Sequence, residues 1–213
     1  MLIVKGLYRE FQSRQVLCDI SFMMEEGQCL AVMGPNGSGK STLLKILSTE
    51  IFPSSGRCEI FGNCIVNKSE IVRELVGVVS TTDRGFYSNL TGQENLTFFS
   101  SMKNITQIQL KNKIAEISEY FPLLKDILTH RFINYSSGMK QILQITRALI
   151  NSPKLLLLDE PTRALDEETK KNFITYLKFL REKKTSIVIA THFPEEAKEL
   201  NANVIKLNNG RIL

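Results

Sequence analysis

Two spacings of apolar residues run through the chain. In the first thirty residues "LIVKGLY" and "VLCDISFMM" alternate apolar and polar positions over short runs, which predicts an antiparallel pair of strands. "CLAVM" and "LVGVVS" follow as buried strands, with "RCEIFGNCIV" between them predicting a hairpin that turns at Gly62-Asn63. After "CLAVM" the glycine-rich "GPNGSGK" runs into a helix whose Leu43, Leu44, Ile46 and Leu47 form an apolar face. From Asp83 to about Ile150 the spacing becomes helical, in "GQENLTFFSSM", "TQIQLKNKIAEISEYF" and "SGMKQILQITRALI". Beyond Pro153 strands and helices alternate: "KLLLLD", "EETKKNFITYLKFLREKK", "TSIVIAT", "PEEAKEL", then a closing hairpin "VIKLNNGRIL" turning at Asn209-Gly210. This order predicts an α/β fold with a mostly parallel sheet covered on both faces and a helical insertion.

A length of 213 residues fits one main domain with a substantial core. Apolar residues make up 43% of the chain and charged ones 23%, with no low-complexity tract or internal repeat, which argues against disorder. The longest apolar stretches, such as Leu155 to Leu158 and Ile187 to Ala190, fall far short of the ~20 residues that span a bilayer. Any membrane role would therefore need another chain to cross. "MLIVKGLYRE" lacks the longer apolar region of a signal peptide, so a cytosolic protein is expected. The net charge of +5 is spread over predicted helix faces with Glu interleaved, and no basic block with aromatics argues for nucleic acid. Cys18, Cys29, Cys58 and Cys64 form no CxxC pair, and the only histidines are His130 and His192; the cysteines are expected to be small apolar core residues and not zinc ligands.

Gly34-Pro35-Asn36-Gly37-Ser38-Gly39-Lys40-Ser41 fits G-x-x-x-x-G-K-[ST], with Thr42 next, between a predicted strand and a predicted helix. The glycines let consecutive N–H groups face phosphates, the helix start adds its positive dipole end, Lys40 reaches the β- and γ-phosphates, and Ser41 offers a hydroxyl to Mg²⁺. In "LLLLDEP" a buried strand ends in two carboxylates. Asp159 is placed to hold Mg²⁺ through water, and Glu160 to take a proton from an attacking water. His192 follows the apolar "SIVIA" and so lies at the same sheet edge, where it can contact a γ-phosphate.

These segments, in this order and over essentially the whole chain, resemble the nucleotide-binding domain of ATP-binding cassette (ABC) transporters. The resemblance implies a P-loop NTPase (RecA-like) core, an N-terminal antiparallel β-subdomain and an inserted helical subdomain. In that reading residues 1–213 are one ABC ATPase domain, with 1–82 and 151–213 as nucleotide-binding core and 83–150 as the helical signature subdomain. Tyr135-Ser136-Ser137-Gly138-Met139 occupies the place of the family's L-S-G-G-Q signature and retains Ser136 and Gly138, the positions that face the phosphate. Asp166 in "PTRALD" matches the D-loop aspartate, His192 the switch histidine, and Phe11 the aromatic that stacks on adenine, ahead of Tyr8 by register. Where the family has V-P-Q, with a glutamine on Mg²⁺ and the attacking water, Ser80 and Thr81 stand. A threonine hydroxyl is shorter by about two heavy-atom bonds, which disfavours direct metal contact and leaves contact through water. The "DRGFY" run that follows looks like that of exporter ATPases.

The resemblance further implies ATP and Mg²⁺ as ligands and catalysis by Glu160, His192 and Lys40. It implies a head-to-tail partner cassette, identical or not, reached in trans by Ser136, Gly138 and Asp166. Separate membrane permease subunits would dock near Arg84, Phe86 and Tyr87, with the cassette on the inner face of the cell membrane. Two other readings within the family are a non-transport cassette acting on ribosomes or DNA, which usually carries tandem cassettes or long insertions, and a regulatory cassette without turnover. A P-loop small-molecule kinase is the reading outside it.

Overall fold

The computed structural model describes residues 1–12, 14–80 and 85–213. Strands β1 (Leu2–Phe11) and β2 (Arg14–Met24) pair antiparallel, as their alternation predicts. β1 pairs on its other edge with β4 (Ser55–Ile60), which turns into the short β5 (Asn63–Cys64), giving a four-stranded sheet in the order β2-β1-β4-β5. Ile60 pairs with Asn63, so the turn residues are Phe61 and Gly62, at φ 48° and 76°, one position before the expected Gly62-Asn63. Packing explains the shift: the Phe61 ring lies against the core, and the Asn63 amide donates to the Phe61 carbonyl at 3.0 Å. Burial and a local side-chain bond hold a phenylalanine in a conformation that glycine or asparagine adopts more readily.

The second sheet has six strands, β3 (Cys29–Met33), β6 (Val76–Val79), β7 (Leu155–Asp159), β8 (Ser186–Ala190), β9 (Asn203–Asn208) and β10 (Arg211–Ile212), in the order β10-β9-β3-β8-β7-β6. The pairs among β3, β6, β7, β8 and β9 are parallel. β10 returns antiparallel to β9 through Asn209-Gly210, at φ 46° and 74°, the expected turn. The apolar runs of β7 and β8 are buried on both faces, and alternate residues divide between two cores. Leu156, Leu158, Ile187 and Ile189 pack under the helices, while Leu155, Leu157, Val188 and Ala190 pack toward α1 (Lys40–Leu47) and the antiparallel sheet. Each of the four leucines of β7 is at most 1% exposed, worth about 1.5–3 kcal/mol of transfer free energy apiece.

Helices α3 (Gly92–Met102), α4 (Gln107–Tyr120), α5 (Leu124–Thr129) and α6 (Ser137–Leu149), with a single 3₁₀ turn at Phe132–Asn134, form the helical segment. α7 (Glu167–Glu182) and α8 (Pro194–Glu199) follow β7 and β8. One helix, α2 (Ser69–Leu75), lies where no element is expected; it buries only Val72, too little for a visible apolar period. Among the described residues no helix is long and apolar enough to cross a membrane. Cys18, Cys29 and Cys58 are buried free thiols, and Cys64 is half-buried.

Candidate active site

The parallel strands β3, β7 and β8 are neighbours, and each ends at the same edge of the sheet in a segment that carries chemistry. After β3 the chain turns through Gly34, Gly37 and Gly39 at φ 154°, 80° and 109° and enters α1. At Gly34 a Cβ would stand 2.0 Å from the Leu207 carbonyl oxygen, so only glycine lets the loop pass under the closing hairpin. The loop is tied there: Gly210 N–H donates to the Ser38 carbonyl and Cys18 N–H to the Gly210 carbonyl. Ser38 is buried, and its hydroxyl has no hydrogen-bond partner among the described residues.

Gly39 occupies the N-cap of α1 with no capping side chain. By contrast, Thr91, Thr106, Ser136 and Asp166 cap α3, α4, α6 and α7 through their side chains. The first N–H groups of α1 are therefore left for an external acceptor, with the positive end of the helix dipole behind them. Lys40 is buried, and its ammonium donates to the carbonyls of Gly34 at 2.7 Å and Pro35 at 3.1 Å, so the lysine is already directed into the loop. Phe11, Asn36, Gly37, Gly39, Lys40, Ser41, Thr42 and Glu160 all line an open groove of about 530 Å³. Phe11 is 41% exposed with the Arg9 guanidinium 4.2 Å over its ring, whereas Tyr8, paired with Ser55 in the sheet, is not part of that lining.

Asp159 ends β7 at 8% exposure. Desolvation raises its pKa, and the nearby Ser41 hydroxyl, Lys40 and Lys45 only partly offset that, while neighbouring Glu160 adds to it. Ser41, which lines the groove, and Asp159, buried behind it, offer a hydroxyl and a carboxylate, a donor pair that suits a hard divalent cation. Glu160 has φ 46°, a left-handed conformation that costs a non-glycine residue roughly 1–2 kcal/mol, with its N–H bound to the Ala190 carbonyl at 2.9 Å. Its carboxylate lies 3.5 Å from His192 Nδ1 through one oxygen and 3.5 Å from Arg163 Nη1 through the other. Glu160 and His192 also line a second groove, of about 580 Å³, with Gly34, Asn36 and Lys170. Glu160, predicted as the base, and His192, predicted as a γ-phosphate contact, thus stand together beside Gly34 and Asn36 of the P-loop.

The signature residues lie elsewhere. Ser136 caps α6 by accepting from Met139 N–H at 3.2 Å, which leaves its own hydroxyl proton to donate. Gly138 faces the Ala164 carbonyl, 3.2 Å from where its Cβ would be. Asp166 accepts from the Thr169 N–H and hydroxyl at 2.8 and 3.0 Å, which holds its pKa low, and so acts within its own chain as a helix cap. None of these three lines either groove. Tyr135, in the leucine position of the resembled signature, is buried; its hydroxyl bonds the Ile127 carbonyl and, at 3.1 Å, that of His130. Thr81 and Arg84 lie outside the described residues. Phe86 is packed between Phe99 and Phe132, under the Arg147 guanidinium, while Tyr87 is 48% exposed against Phe98. Residue patterns did not single out the buried contacts behind the site, Thr162–Glu196 and Gln141–Pro161, because their partners lie far apart in the chain.

A parallel sheet whose first core strand opens into an uncapped glycine loop, with acidic residues ending the strand two places away, defines a P-loop nucleoside-triphosphatase. The ABC transporter family profile matches residues 17–163. The ABC transporter ATP-binding protein NatA of Bacillus subtilis (strain 168) is 29% identical over 217 residues, covering 100% of this chain and 88% of that protein. The Nod factor export ATP-binding protein I of Rhizobium sp. (strain N33) is 34% identical over 208 residues, covering 98% and 68%. Among solved structures, the dimeric bacterial ABC transporter cassette MJ0796 superposes with a TM-score of 0.89 at 26% identity, covering 100% of this chain and 96% of that one; the same cassette is known in a post-hydrolysis dimer bound to ADP and Pi. The chain belongs to the ABC transporter family, as an ATP-binding and ATP-hydrolysing subunit.

Proposed function

We propose that this cassette closes head to tail with a second cassette around two ATP molecules. Each ATP would lie between one chain's P-loop and the other chain's α6 N-terminus. The observation that carries this is that Ser136 and Gly138, at the start of α6, line neither groove beside the P-loop. The dimeric form of the similar cassette supports it.

In this reading Phe11 stacks on adenine, and Gly34, Asn36, Gly37, Ser38, Gly39, Lys40, Ser41 and Thr42 hold the phosphates. Ser41 and, through water, Asp159 would hold Mg²⁺, which supplies charge neutralisation at the β- and γ-oxygens. Thr81 would reach that ion only through water. Glu160 takes the proton of the attacking water, His192 orients the γ-phosphate edge, and Ser136, Gly138 and Asp166 complete the site from the partner. Loss of the γ-phosphate removes contacts that only the closed dimer makes, so hydrolysis favours opening. Residues 83–150 act as the helical subdomain that carries this movement toward membrane-spanning subunits on separate chains, through the surface around Phe86 and Tyr87. The chain then works at the cytoplasmic face of the membrane, and the Nod factor export relative favours outward transport.

Two variants test the arrangement together. Glu160→Gln should bind ATP but turn it over more slowly by about 10²-fold or more, the scale for losing a general base, and sediment as an ATP-dependent dimer. Adding Ser136→Arg should abolish that dimer while the monomer still binds ATP. A dimer that survives Ser136→Arg would place the α6 N-terminus outside the interface, and unchanged turnover in Glu160→Gln would remove Glu160 from catalysis.

A further inference from the structure

A carboxylate that no nucleotide motif uses is buried beside the site. Glu196, in α8, is 1% exposed; its Oε1 accepts from the hydroxyl of Thr162, itself 4% exposed, and lies 3.8 Å from Lys170 Nζ. Its Oε2 has no hydrogen-bond partner among the described residues. A buried carboxyl group with one oxygen unpartnered is expensive, and replacing it by an apolar residue would often serve stability as well, so stability alone does not explain it. Thr162 is two residues beyond Glu160, and Glu196 is four residues beyond His192. The Thr162–Glu196 bond therefore ties together the two chain segments that leave the sheet with the catalytic pair. Two further contacts hold the same corner: Glu160 N–H on the Ala190 carbonyl at 2.9 Å, and the Lys170 ammonium 4.8 Å over the Phe193 ring.

We infer that Glu196 is a positioning residue, which sets the distance between Glu160 and His192 by clamping the Glu160 loop to the His192 loop through Thr162. The clamp counters the tendency of Glu160 to leave its left-handed conformation. Neither Glu196 nor Thr162 lines the groove that holds Lys40 and Phe11, and Thr162 reaches the second groove, beside Gly34 and Asn36, with its hydroxyl turned to Glu196. This rests on the proposed roles of Glu160 and His192.

The test is a set of single-turnover ATPase measurements on the purified chain with its partner cassette, at a temperature where melting curves show each variant folded. Glu196→Ala and Thr162→Val should each lower the rate at saturating ATP by about tenfold or more, in line with the loss expected when a reacting group is displaced by about 1 Å. ATP affinity should stay within about twofold of the unmodified chain. Glu196→Gln and Thr162→Ser, which keep the acceptor oxygen and the hydroxyl, should retain at least half the rate. Adding Glu196→Ala to Glu160→Gln should cost little beyond Glu160→Gln alone, because both act through one group. Losses that add in full, an unchanged rate in Glu196→Ala, or an equal loss of ATP affinity would each overturn the inference. Glu160→Gln alone, run in parallel, separates this outcome from failure of the underlying reading: if it turns over normally, the catalytic assignment falls first.

Discussion

Replacing Gly92 by alanine sets helix propensity against close packing, and the structure says which prevails. Gly92 is the first residue of α3, and in a helix interior alanine would be better by about 1 kcal/mol, less at the end. A Cβ there, however, would stand 2.5 Å from the Ile127 carbonyl oxygen and 2.6 Å from the Tyr135 hydroxyl. The first neighbour is backbone at the end of α5, where Gly92 N–H is itself bound to the His130 carbonyl at 3.2 Å, so it has little room to yield. The second is a buried phenol whose only escape breaks its bonds to the Ile127 and His130 carbonyls. Overpacking of this kind costs about 1–3 kcal/mol and the lost hydrogen bond about 1 kcal/mol more. Against a gain below 1 kcal/mol, the net is a destabilisation of about 2 kcal/mol, or an apparent Tm lower by about 4–8 °C for a chain of this size. Thermal melts by circular dichroism of the nucleotide-free chain measure it directly. Tyr135→Leu in the Gly92→Ala background should recover part of the loss, since it removes one of the two clashes. A Gly92→Ala chain that melts at or above the temperature of the unmodified protein would refute the packing argument.

The remaining predictions concern charge, burial and the base. Asp159 has a raised pKa in the fold, so its neutral form is favoured there; that contribution is present below its unfolded pKa of about 3.9 and is lost as pH rises through the folded value. Asp159→Asn should therefore raise the Tm of the chain in EDTA at neutral pH, by an amount that disappears toward pH 3, and should abolish Mg²⁺-dependent turnover. Burial pushes the Cys29 and Cys58 thiols up to about 12, so at pH 8 about one molecule in 10⁴ carries either thiolate. Alkylation followed by mass spectrometry should find both unmodified in the native chain and labelled in denaturant, with the half-buried Cys64 reacting first. Phe11→Ala should weaken ATP binding by the value of one base–aromatic stack, about 1–3 kcal/mol, and Tyr8→Ala should not; equilibrium titration with a fluorescent ATP analogue separates the two.

What could be read from the residues alone was whatever depends on neighbours in the chain. The P-loop and its helix follow from eight consecutive residues whose conformations are set locally, and the last hairpin from Asn209-Gly210, which both prefer the backbone they adopt. The Phe61-Gly62 turn was misplaced by one residue because the packing of a ring against a distant core decided it. α2 escaped notice because one buried valine makes no period. Asp166 was legible as chemistry through the resemblance, yet "DEET" also spells a helix cap, and within its own chain the cap is what it forms. Glu196 had no signal at all: the hydroxyl it binds is 34 residues away, and only folding brings the two together.

Gln141 lies in the second turn of α6, buried, and its side-chain amide donates to the Pro161 carbonyl at 2.8 Å. Pro161 directly follows Glu160. The start of α6, the edge proposed to meet a partner's ATP, and the end of β7 are therefore riveted at one point well inside the protein. A displacement at either edge strains the same buried bond, so the chain has no means of adjusting one phosphate-facing edge in private from the other.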